Sequence, residues 1–308
     1  MAKVNYRIGR ACGGRCGLRR RYAQNCLNLC GDQDLSSMSV PAPLNANNIG
    51  DFLEFWLTND VLSAESQAVL DRYYASYKRN FGLYVKHWYS RQTEELTNLI
   101  HSLSHPTVLE VGCGCGTESL WAAMRGAEVV GIDIADDLLK AAQERKEWLQ
   151  KASGRELACD FRKMSILSTD GLGPFDIVYM EQAFHHLEPR AEVLRKTAEL
   201  VRAGGWLVIS EANAWNPLLQ LNLLRVRGTT TIASVDGHPW GHERITVPAA
   251  LLRQFGKRDF ARVQLTYYRT LPNMKLGDRL LSLDRRIPQW LKPLFTHYNL
   301  VLRKSDKR

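Results

Sequence analysis

The stretch Thr107-Val-Leu-Glu-Val-Gly-Cys-Gly-Cys-Gly116 decides the fold of this chain of 308 residues. A short, mostly apolar segment runs into a turn in which every second residue is glycine, and a helix is expected to open at Thr117 or Glu118. Glycines let the backbone approach a ligand closely, and a helix N-terminus offers unpaired N–H groups. The stretch therefore predicts a buried strand, a ligand-binding turn and a helix in succession.

Strands and helices alternate outward from this stretch as far as about Phe260. Short apolar segments predict further strands, and the stretches between them have helical character. Such alternation is typical of βαβ units, which form a parallel sheet with helices on both faces. The predicted strands are 107–111, 128–132, 157–164, 176–180 and 206–211, and the predicted helices lie near 118–125, 135–151 and 190–201.

The spacing of the glycines argues against a dinucleotide site. The dinucleotide fingerprint is G-x-G-x-x-G. Starting from Gly112, it fits Gly114 and then requires glycine at position 117, where the chain has Thr117. The observed pattern from Glu110 to Gly116 is E-x-G-x-G-x-G, and it resembles the first motif of class I S-adenosylmethionine-dependent methyltransferases.

Four further segments resemble that family and follow in its expected order, so that the resemblance covers about residues 70–304. It implies an α/β fold with a doubly wound, seven-stranded, mostly parallel sheet, an antiparallel last strand and an N-terminal helical cap. It also implies S-adenosylmethionine as the cofactor. The four segments are Val129-Val-Gly-Ile-Asp133, Phe175-Asp-Ile-Val-Tyr-Met-Glu-Gln-Ala-Phe-His-His-Leu187, Ala203-Gly-Gly-Trp-Leu-Val-Ile-Ser-Glu211 and His297-Tyr-Asn-Leu-Val-Leu-Arg-Lys304.

The resemblance also implies which residues hold the cofactor. The acidic residue of the first motif, Glu110, would hold the methionine part, and Asp133 at the end of the second strand would accept the ribose hydroxyls. The family usually has an acidic residue near the adenine. Here Ser165 aligns best with that position, and Asp160 is the alternative if the third strand is shorter. The predicted cofactor contacts are Tyr77, Glu110, Gly112, Cys113, Gly114, Gly116, Asp133, Ile134, Ser165, Ile166 and Glu181.

Residues 41–104 form a predicted helical cap before a methyltransferase domain at 105–308. Aromatic residues of the cap recur mostly three or four positions apart, as on one face of a helix. This helix could close over the cofactor, with Tyr77 as the contact, or it could cover the edge of the sheet. Both interpretations are open at the level of sequence.

Methyl transfer from a sulfonium is an in-line displacement, in which the protein chiefly aligns the reactants and excludes water. A general base is needed if the acceptor must lose a proton. Side chains beyond the carboxyl ends of the strands are the candidates, and they include His185, Glu211 and Asn213. Each of these polar side chains could instead be a structural or cofactor-side contact. The catalytic residues predicted from the sequence are His186, Glu181 and His242.

Two insertions are predicted within the methyltransferase domain, at about 214–246 and 271–296. The first is a long loop with His238 and His242, which lack a clear third ligand, so no metal is predicted. In the second, apolar and basic residues alternate in a helical manner over 279–295. That helix could rest on a membrane interface, or pack on its own domain or a dimer partner. The sequence does not indicate an oligomeric state.

The overall pattern predicts a methyltransferase that acts on a small-molecule or a glycan- or lipid-linked acceptor, with O-methylation favoured. One alternative is an RNA methyltransferase that uses a basic tail, and another is a non-catalytic regulatory protein that binds S-adenosylmethionine. Enzymes that methylate base amino groups often carry [N/D/S]-P-P-[Y/F/W] after the fourth strand. Glu181-Gln-Ala-Phe184 stands there instead, and the body lacks a basic stripe with interleaved aromatic residues, so nucleic acid is not the predicted partner.

Residues 1–40 are predicted to form a disordered, basic, cysteine-rich tail. Residues 1–38 carry five of the nine net positive charges, so the body is nearly balanced. Cys12, Cys16, Cys26 and Cys30 have spacings within the range of zinc ligands, but the alternative that we favour is upstream sequence before a start at Met38. With no apolar run long enough for a membrane span and no secretory signal, the expected location is the cytoplasm.

Overall fold

The computed structural model describes residues 42–227 and 245–306. The predicted tail at 1–40, with its candidate zinc ligands, lies outside the described residues, and so do His238 and His242. Among the helices that are described, none is both long and apolar enough to cross a bilayer.

A seven-stranded sheet forms the centre of the described structure, with strand order β3-β2-β1-β4-β5-β7-β6. Neighbouring strands are parallel from β3 to β5, whereas β7 is antiparallel to both β5 and β6. The predicted fold class is therefore confirmed, including the antiparallel last strand. The strands are β1 (Thr107–Val111), β2 (Glu128–Asp133), β3 (Cys159–Lys163), β4 (Phe175–Glu181), β5 (Val201–Ala212), β6 (Phe260–Tyr268) and β7 (His297–Lys304).

Helices precede the sheet and cover it on both sides. The first four belong to the N-terminal region, where α1 packs on α4 and α2 packs on α6. Short 3₁₀ helices occur at Ala42–Asn45, Ile166–Ser168, Phe184–His186 and Lys292–Leu294. The α-helices are α1 (Ile49–Thr58), α2 (Ala64–Tyr73), α3 (Ala75–Lys78), α4 (Leu83–Ser102), α5 (Thr117–Met124), α6 (Asp136–Ser153), α7 (Arg190–Leu200), α8 (Pro217–Arg227), α9 (Pro248–Gly256) and α10 (Gly277–Asp284).

The central strands are buried on both faces, as expected for a parallel sheet covered by helices. Val108 of β1 and Tyr179 of β4 belong to the apolar cluster that includes the N-terminal helices. Leu109 and Val178, their neighbours along the chain, belong to the cluster on the opposite face. Because side chains alternate between faces along a strand, each short strand contributes to both halves of the core.

The structure differs from the sequence predictions in several segments. The loop predicted at 214–246 begins with helix α8. The helix predicted over 279–295 ends at Asp284, and Pro288 and Pro293 in the remainder cannot supply the N–H groups that a continuing helix needs. Strand β6 was not located from the sequence, since residues 261–264 are exposed and do not show a clear apolar alternation.

Gly131 in β2 allows a close contact between the sheet and the glycine turn. A Cβ atom at this position would lie 2.9 Å from Phe161 Cδ1, 2.9 Å from Ser119 Oγ and 3.0 Å from Cys113 Sγ. We expect Gly131→Ala to lower the free energy of unfolding by about 1–3 kcal/mol, the usual cost of overpacking a core. Urea denaturation would measure the change.

The matched control is Gly256→Ala at the end of α9, where an added Cβ would meet nothing within 4 Å. Its unfolding free energy should stay the same or rise by up to about 1 kcal/mol, because alanine restricts the unfolded chain. Equal destabilisation of both variants would contradict the packing argument for Gly131.

Candidate active site

The carboxyl ends of β1, β2 and β4 meet at one edge of the sheet and border a cavity of about 490 Å³. Ligands of open α/β sheets bind outside this edge, at the point where the strand order reverses. Here that point lies between β1 and β4. Gly112, Asp133 and Glu181 line the cavity from the three strand ends, and Ile166 lines it from the segment after β3.

The glycine turn after β1 is tied to the end of β2 by hydrogen bonds. The backbone N–H groups of Gly112 and Cys113 donate to the carbonyl oxygen of Ile132, at 2.8 and 3.0 Å. The Asp133 carboxylate accepts from the N–H of Gly114 at 2.9 Å and from that of Ala135 at 3.0 Å. Each carboxylate oxygen keeps further lone pairs, so Asp133 can still accept hydroxyl groups of a ligand.

The turn needs glycine at positions where the backbone adopts a left-handed conformation. Gly112 has φ +75°, and a Cβ there would lie 2.6 Å from the Cβ of Ala183. Gly114 has φ +50°, and a Cβ there would collide with the ring and hydroxyl of Tyr73. The glycines thus allow close approach of the chain's own side chains as well as of a ligand.

Tyr73, rather than Tyr77, lines the cavity from the N-terminal helices. Tyr77 packs on Trp88, with ring centroids 5.0 Å apart, and on Tyr89 at 5.7 Å. Helix α2 ends at Tyr73 and the four-residue helix α3 begins at Ala75. Because the helix is interrupted there, the helical spacing used in the sequence does not continue from one tyrosine to the next.

Three carboxylic acids, Glu110, Glu118 and Glu181, are clustered below the glycine turn. Ser119 Oγ donates to Glu110, and the Tyr89 hydroxyl donates to Glu118. Burial raises the pKa of all three carboxyl groups, and neighbouring carboxylates raise the pKa values of Glu110 and Glu181 further. The cluster therefore favours either protonation or a bound positive charge.

Glu181 is the member of this cluster that lines the cavity. Its Oε1 atom is buried and has no hydrogen-bond partner among the described residues. A buried acceptor that lacks a donor is costly, and a positively charged donor in the cavity would remove that cost. Glu181 thus marks the place where a cationic group fits best.

Six predicted cofactor residues line the cavity: Gly112, Asp133, Ile134, Ser165, Ile166 and Glu181. The other five do not line it. The Glu110 side chain is bonded to Ser119 at the start of α5, and Cys113 is buried beside β2. The remaining three are Tyr77, Gly114, which is covered by Tyr73, and Gly116, which faces Phe161 and Ala142.

The structure separates the two candidates for the adenine position. Ser165 lies at the cavity, after the end of β3. Asp160 lies within β3 and accepts a hydrogen bond at 2.6 Å from Nε of Arg162, on the exposed side of the sheet. Strand β3 is shorter than predicted, yet its carboxyl end still places Ser165 and not Asp160 at the cavity.

Next to the cavity, His185 is held by a buried carboxylate. His185 Nδ1 lies 2.8 Å from Glu211 Oε2, and the backbone N–H of His185 donates to Glu211 Oε1 at 3.2 Å. The Glu211 side chain is 2% exposed. Burial opposes its ionisation, but the charge and hydrogen bonds of His185 outweigh burial, so the pKa of Glu211 lies below its ordinary value.

His297 at the start of β7 is a further histidine at this edge. Burial lowers its pKa well below the ordinary value, and the charges of Arg269 and His185 lower it further. Its ring centroid lies 5.5 Å from that of Tyr268. His185 and Glu211 are both candidates from the sequence, which gives no sign that they pair, and His297 is not among those candidates.

The three residues predicted to be catalytic have different placements. His186 and Glu181 line the cavity, whereas His242 lies outside the described residues. The ring centroids of His185 and His186 are 3.9 Å apart, so His185 lies directly beside the histidine that lines the cavity. Within residues 42–227 and 245–306, no group of three or more His, Cys, Asp or Glu side chains could hold a metal ion.

Comparison with known proteins identifies the family. Residues 109–207, from β1 into β5, match a family model described as a methyltransferase domain. This segment of the chain is therefore similar to methyltransferase domains. The family predicted from the glycine motif is thereby confirmed.

Among curated relatives of the methyltransferase domain is the ubiquinone biosynthesis O-methyltransferase of Nitrosomonas europaea, which is 37% identical over 120 residues. The aligned segment is 38% of this chain and 48% of the relative. The chain thus spans about half the length of the curated relatives that it matches.

Two solved structures show the same fold as the methyltransferase domain. One is magnesium protoporphyrin IX methyltransferase from Synechocystis PCC 6803 with bound S-adenosylhomocysteine, at 16% identity and a TM-score of 0.52. The match covers 80% of this chain and 98% of that one. The other is a sarcosine dimethylglycine methyltransferase candidate from Galdieria sulphuraria, at 13% identity and a TM-score of 0.53, covering 73% and 89% of the two chains.

The raised pKa of Glu181 has a consequence for stability. Between the ordinary carboxyl pKa of about 4.3 and the raised pKa of Glu181 in the folded protein, the folded protein binds more protons at this site than the unfolded chain does. Stability is therefore lost as pH rises through that interval. We expect Glu181→Gln to have little effect near pH 4 and to stabilise the ligand-free chain by about 1 kcal/mol or more at pH 8.

Denaturant unfolding at several pH values would test this expectation. The control is Glu128→Gln, because Glu128 is exposed at the start of β2. That variant should follow the unchanged chain at every pH. Destabilisation of Glu181→Gln by the same amount at pH 4 and pH 8 would contradict the burial of an ionisable acid at this position.

Proposed function

We propose that this chain transfers the methyl group of S-adenosylmethionine to an oxygen atom of a small-molecule acceptor. The observation that carries the proposal is the His185–Glu211 pair beside the cavity, at 2.8 Å. A hydroxyl acceptor must lose a proton when it is methylated, and an imidazole held by a carboxylate is suited to take that proton. The O-methyltransferase names of the curated relatives support the same choice.

The cavity residues fit the cofactor. The volume of the cavity, about 490 Å³, lies within the range of small-molecule sites. We propose that Asp133 accepts the ribose hydroxyls, that Ser165 and Ile166 contact the adenine, and that Glu181 receives the cationic methionine part. The unpartnered Oε1 of Glu181 supports the last assignment. When bound, S-adenosylmethionine supplies a methyl group activated by the positive charge on sulfur.

We assign the general base to His185 and not to His186. Glu211 accepts from Nδ1–H of His185, which fixes the tautomer and leaves Nε2 to receive a proton. The negative charge of Glu211 also stabilises the imidazolium that forms. His186 lines the cavity and is proposed to contact the bound reactants. The catalytic roles of His186, Glu181 and His242 that the sequence predicts stay predictions beside this proposal.

The chemical class of the acceptor and the location of the protein are separate predictions. A glycan- or lipid-linked acceptor and peripheral membrane contact by residues 279–295 stay predictions of the sequence. Exposed side chains of Leu283, Trp290 and Leu294 support the membrane contact. The cytoplasmic location, the RNA methyltransferase alternative and the non-catalytic alternative likewise stay predictions of the sequence.

Cofactor binding should depend on Asp133. We expect Asp133→Ala to weaken binding of S-adenosylhomocysteine by at least tenfold, because each charge-assisted hydrogen bond contributes about 1.5–3 kcal/mol. Isothermal titration calorimetry would measure the affinity. Asp136→Ala is the control, since Asp136 is exposed at the start of α6 and does not line the cavity. Unchanged binding by Asp133→Ala would contradict the cofactor site.

Catalysis should depend on His185 more than on His186. We expect His185→Gln to lower kcat by about 10²–10⁴-fold, the usual contribution of a general base, and His186→Gln to lower it less than tenfold. Turnover of labelled S-adenosylmethionine with a pool of small-molecule acceptors would provide the assay.

Glu211→Gln separates positioning from proton transfer. We expect its kcat to fall by about 10²-fold or more, as in other imidazole–carboxylate pairs, while the affinity for S-adenosylhomocysteine stays unchanged. A larger loss in His186→Gln than in His185→Gln would exchange the two roles. Binding of the cofactor without turnover of any acceptor would favour the regulatory alternative.

A further inference from the structure

A second cavity, of about 300 Å³, lies beyond the end of β6 and the start of β7, between α4 and the segment that includes α10. Its polar lining is dominated by three arginines, Arg91, Arg269 and Arg285, together with one carboxylate, Asp284. Trp88 contributes an aromatic wall. The cavity is distinct from the one lined by Asp133 and Glu181. It lies at the part of the sheet edge that β6 and β7 form.

Arg269 is held in place by its surroundings. Its backbone adopts φ +60°, which a residue with a side chain rarely takes. The N–H and hydroxyl groups of Thr296 both donate to the Arg269 carbonyl oxygen at 2.8 Å. Its guanidinium carbon lies 4.3 Å from the centre of the Trp88 ring. The arginine is therefore fixed before any ligand binds, which lowers the entropic cost of binding.

Arg91 forms an ion pair with Glu94, whereas Asp284 forms no ion pair with Arg269 or Arg285 among the described residues. Asp284 accepts hydrogen bonds from the N–H, at 2.9 Å, and the hydroxyl of Thr270, and it forms no ion pair within the described part of the chain. Arg285 Nη2 lies 3.2 Å from Nδ1 of His87. Arg269 donates through Nε to the carbonyl of Leu271 at 3.3 Å, and its two terminal nitrogens have no partner among the described residues.

A second unpartnered donor lies in the same wall. Trp88 is 2% exposed and lines the cavity, and its Nε1–H has no acceptor among the residues that the structure describes. Unmatched donors next to a fixed guanidinium fit a ligand that supplies several acceptor oxygens. Carboxylates and phosphates meet this requirement, since arginine binds both through paired hydrogen bonds.

We propose that this cavity binds an oxyanion, a carboxylate or a phosphate monoester, carried by the methyl acceptor. The assignment to the acceptor rests on the proposed function, whereas oxyanion binding itself does not. His297 links the two regions, because it pairs with Tyr268, which lines this cavity, and with Ala212, the residue after Glu211. An acceptor anchored at Arg269 would thus be held on the side of the active site where His185 and Glu211 lie.

Oxyanion binding can be measured without any turnover. Inorganic phosphate and benzoate would each be titrated into the full chain by isothermal titration calorimetry. We expect saturable binding of at least one of them, and at least tenfold weaker binding in Arg269→Gln and Arg285→Gln, because a charge-assisted hydrogen bond is lost. Binding of phosphate alone would indicate a phosphate monoester, and binding of benzoate alone a carboxylate.

Arg286→Gln is the matched control. Arg286 is exposed, two residues after the end of α10, and does not line the cavity, so its variant should bind as the unchanged chain does. The absence of saturable binding would overturn the proposal. An equal loss in Arg286→Gln would do the same, because it would indicate diffuse surface charge or contact with an anionic surface. Unchanged binding of S-adenosylhomocysteine by all three variants would verify their folding.

A second measurement tests whether the oxyanion belongs to the acceptor. A small-molecule extract would be separated on an anion exchanger, and each fraction would be incubated with labelled S-adenosylmethionine. We expect label in products of the retained fraction, with Arg269→Gln raising the KM for that acceptor at least tenfold while kcat changes little. Transfer confined to unretained compounds would overturn the acceptor assignment. No transfer into any fraction would contradict the proposed function and leave the calorimetric result to decide oxyanion binding.

Discussion

The carboxylate of Asp133 connects the ends of the two strands on which the site depends. It accepts hydrogen bonds from the backbone N–H of Gly114, in the turn after β1, and from that of Ala135, just after β2. The glycine turn after β1 and the entry to α6 are therefore held in one arrangement. The cavity, the left-handed glycines and the position of Tyr73 above Gly114 all follow from the path that this carboxylate fixes.

A group of buried ionisable residues supports the turn from below. Arg145 is fully buried, and its Nη1 donates to the carbonyl of Cys115 at 2.6 Å and to Thr117 Oγ1 at 2.9 Å. Its charge acts against the burial that raises the pKa of Glu118. Glu181 has no comparable cation among the described residues. This difference is typical of functional sites, where local stability is lower so that a ligand can supply the missing interaction.

Different strands contribute different side chains to the carboxyl edge of the sheet. The ends of β1, β2 and β4 and the segment after β3 border the cavity of about 490 Å³, and β4 and β5 bring His185 and Glu211 together. Because β7 runs antiparallel to β5, its first residue, His297, pairs with Ala212 at the same edge. Tyr268 at the end of β6 pairs with His297 in turn. The antiparallel strands thus extend the site sideways, towards the arginine-lined cavity.

The sequence by itself determined the family, the fold class and the bounds of β1 and β7. These are encoded in local patterns, in which an apolar strand, a glycine turn and a helix start follow one another along the chain. Asp133, Ser165 and Ile166 line the cavity for the same local reason, because each comes at or just after a strand end.

Other features were decided by the tertiary structure. Tyr73 replaces Tyr77 because the helix is interrupted after Tyr73, and the Glu110 side chain is bonded to Ser119 in α5 instead of lining the cavity. His185 meets Glu211 because β4 and β5 are neighbours in the sheet, although the two residues lie 26 positions apart. Lateral strand order and side-chain direction depend on packing between distant segments, and a local pattern does not contain that information.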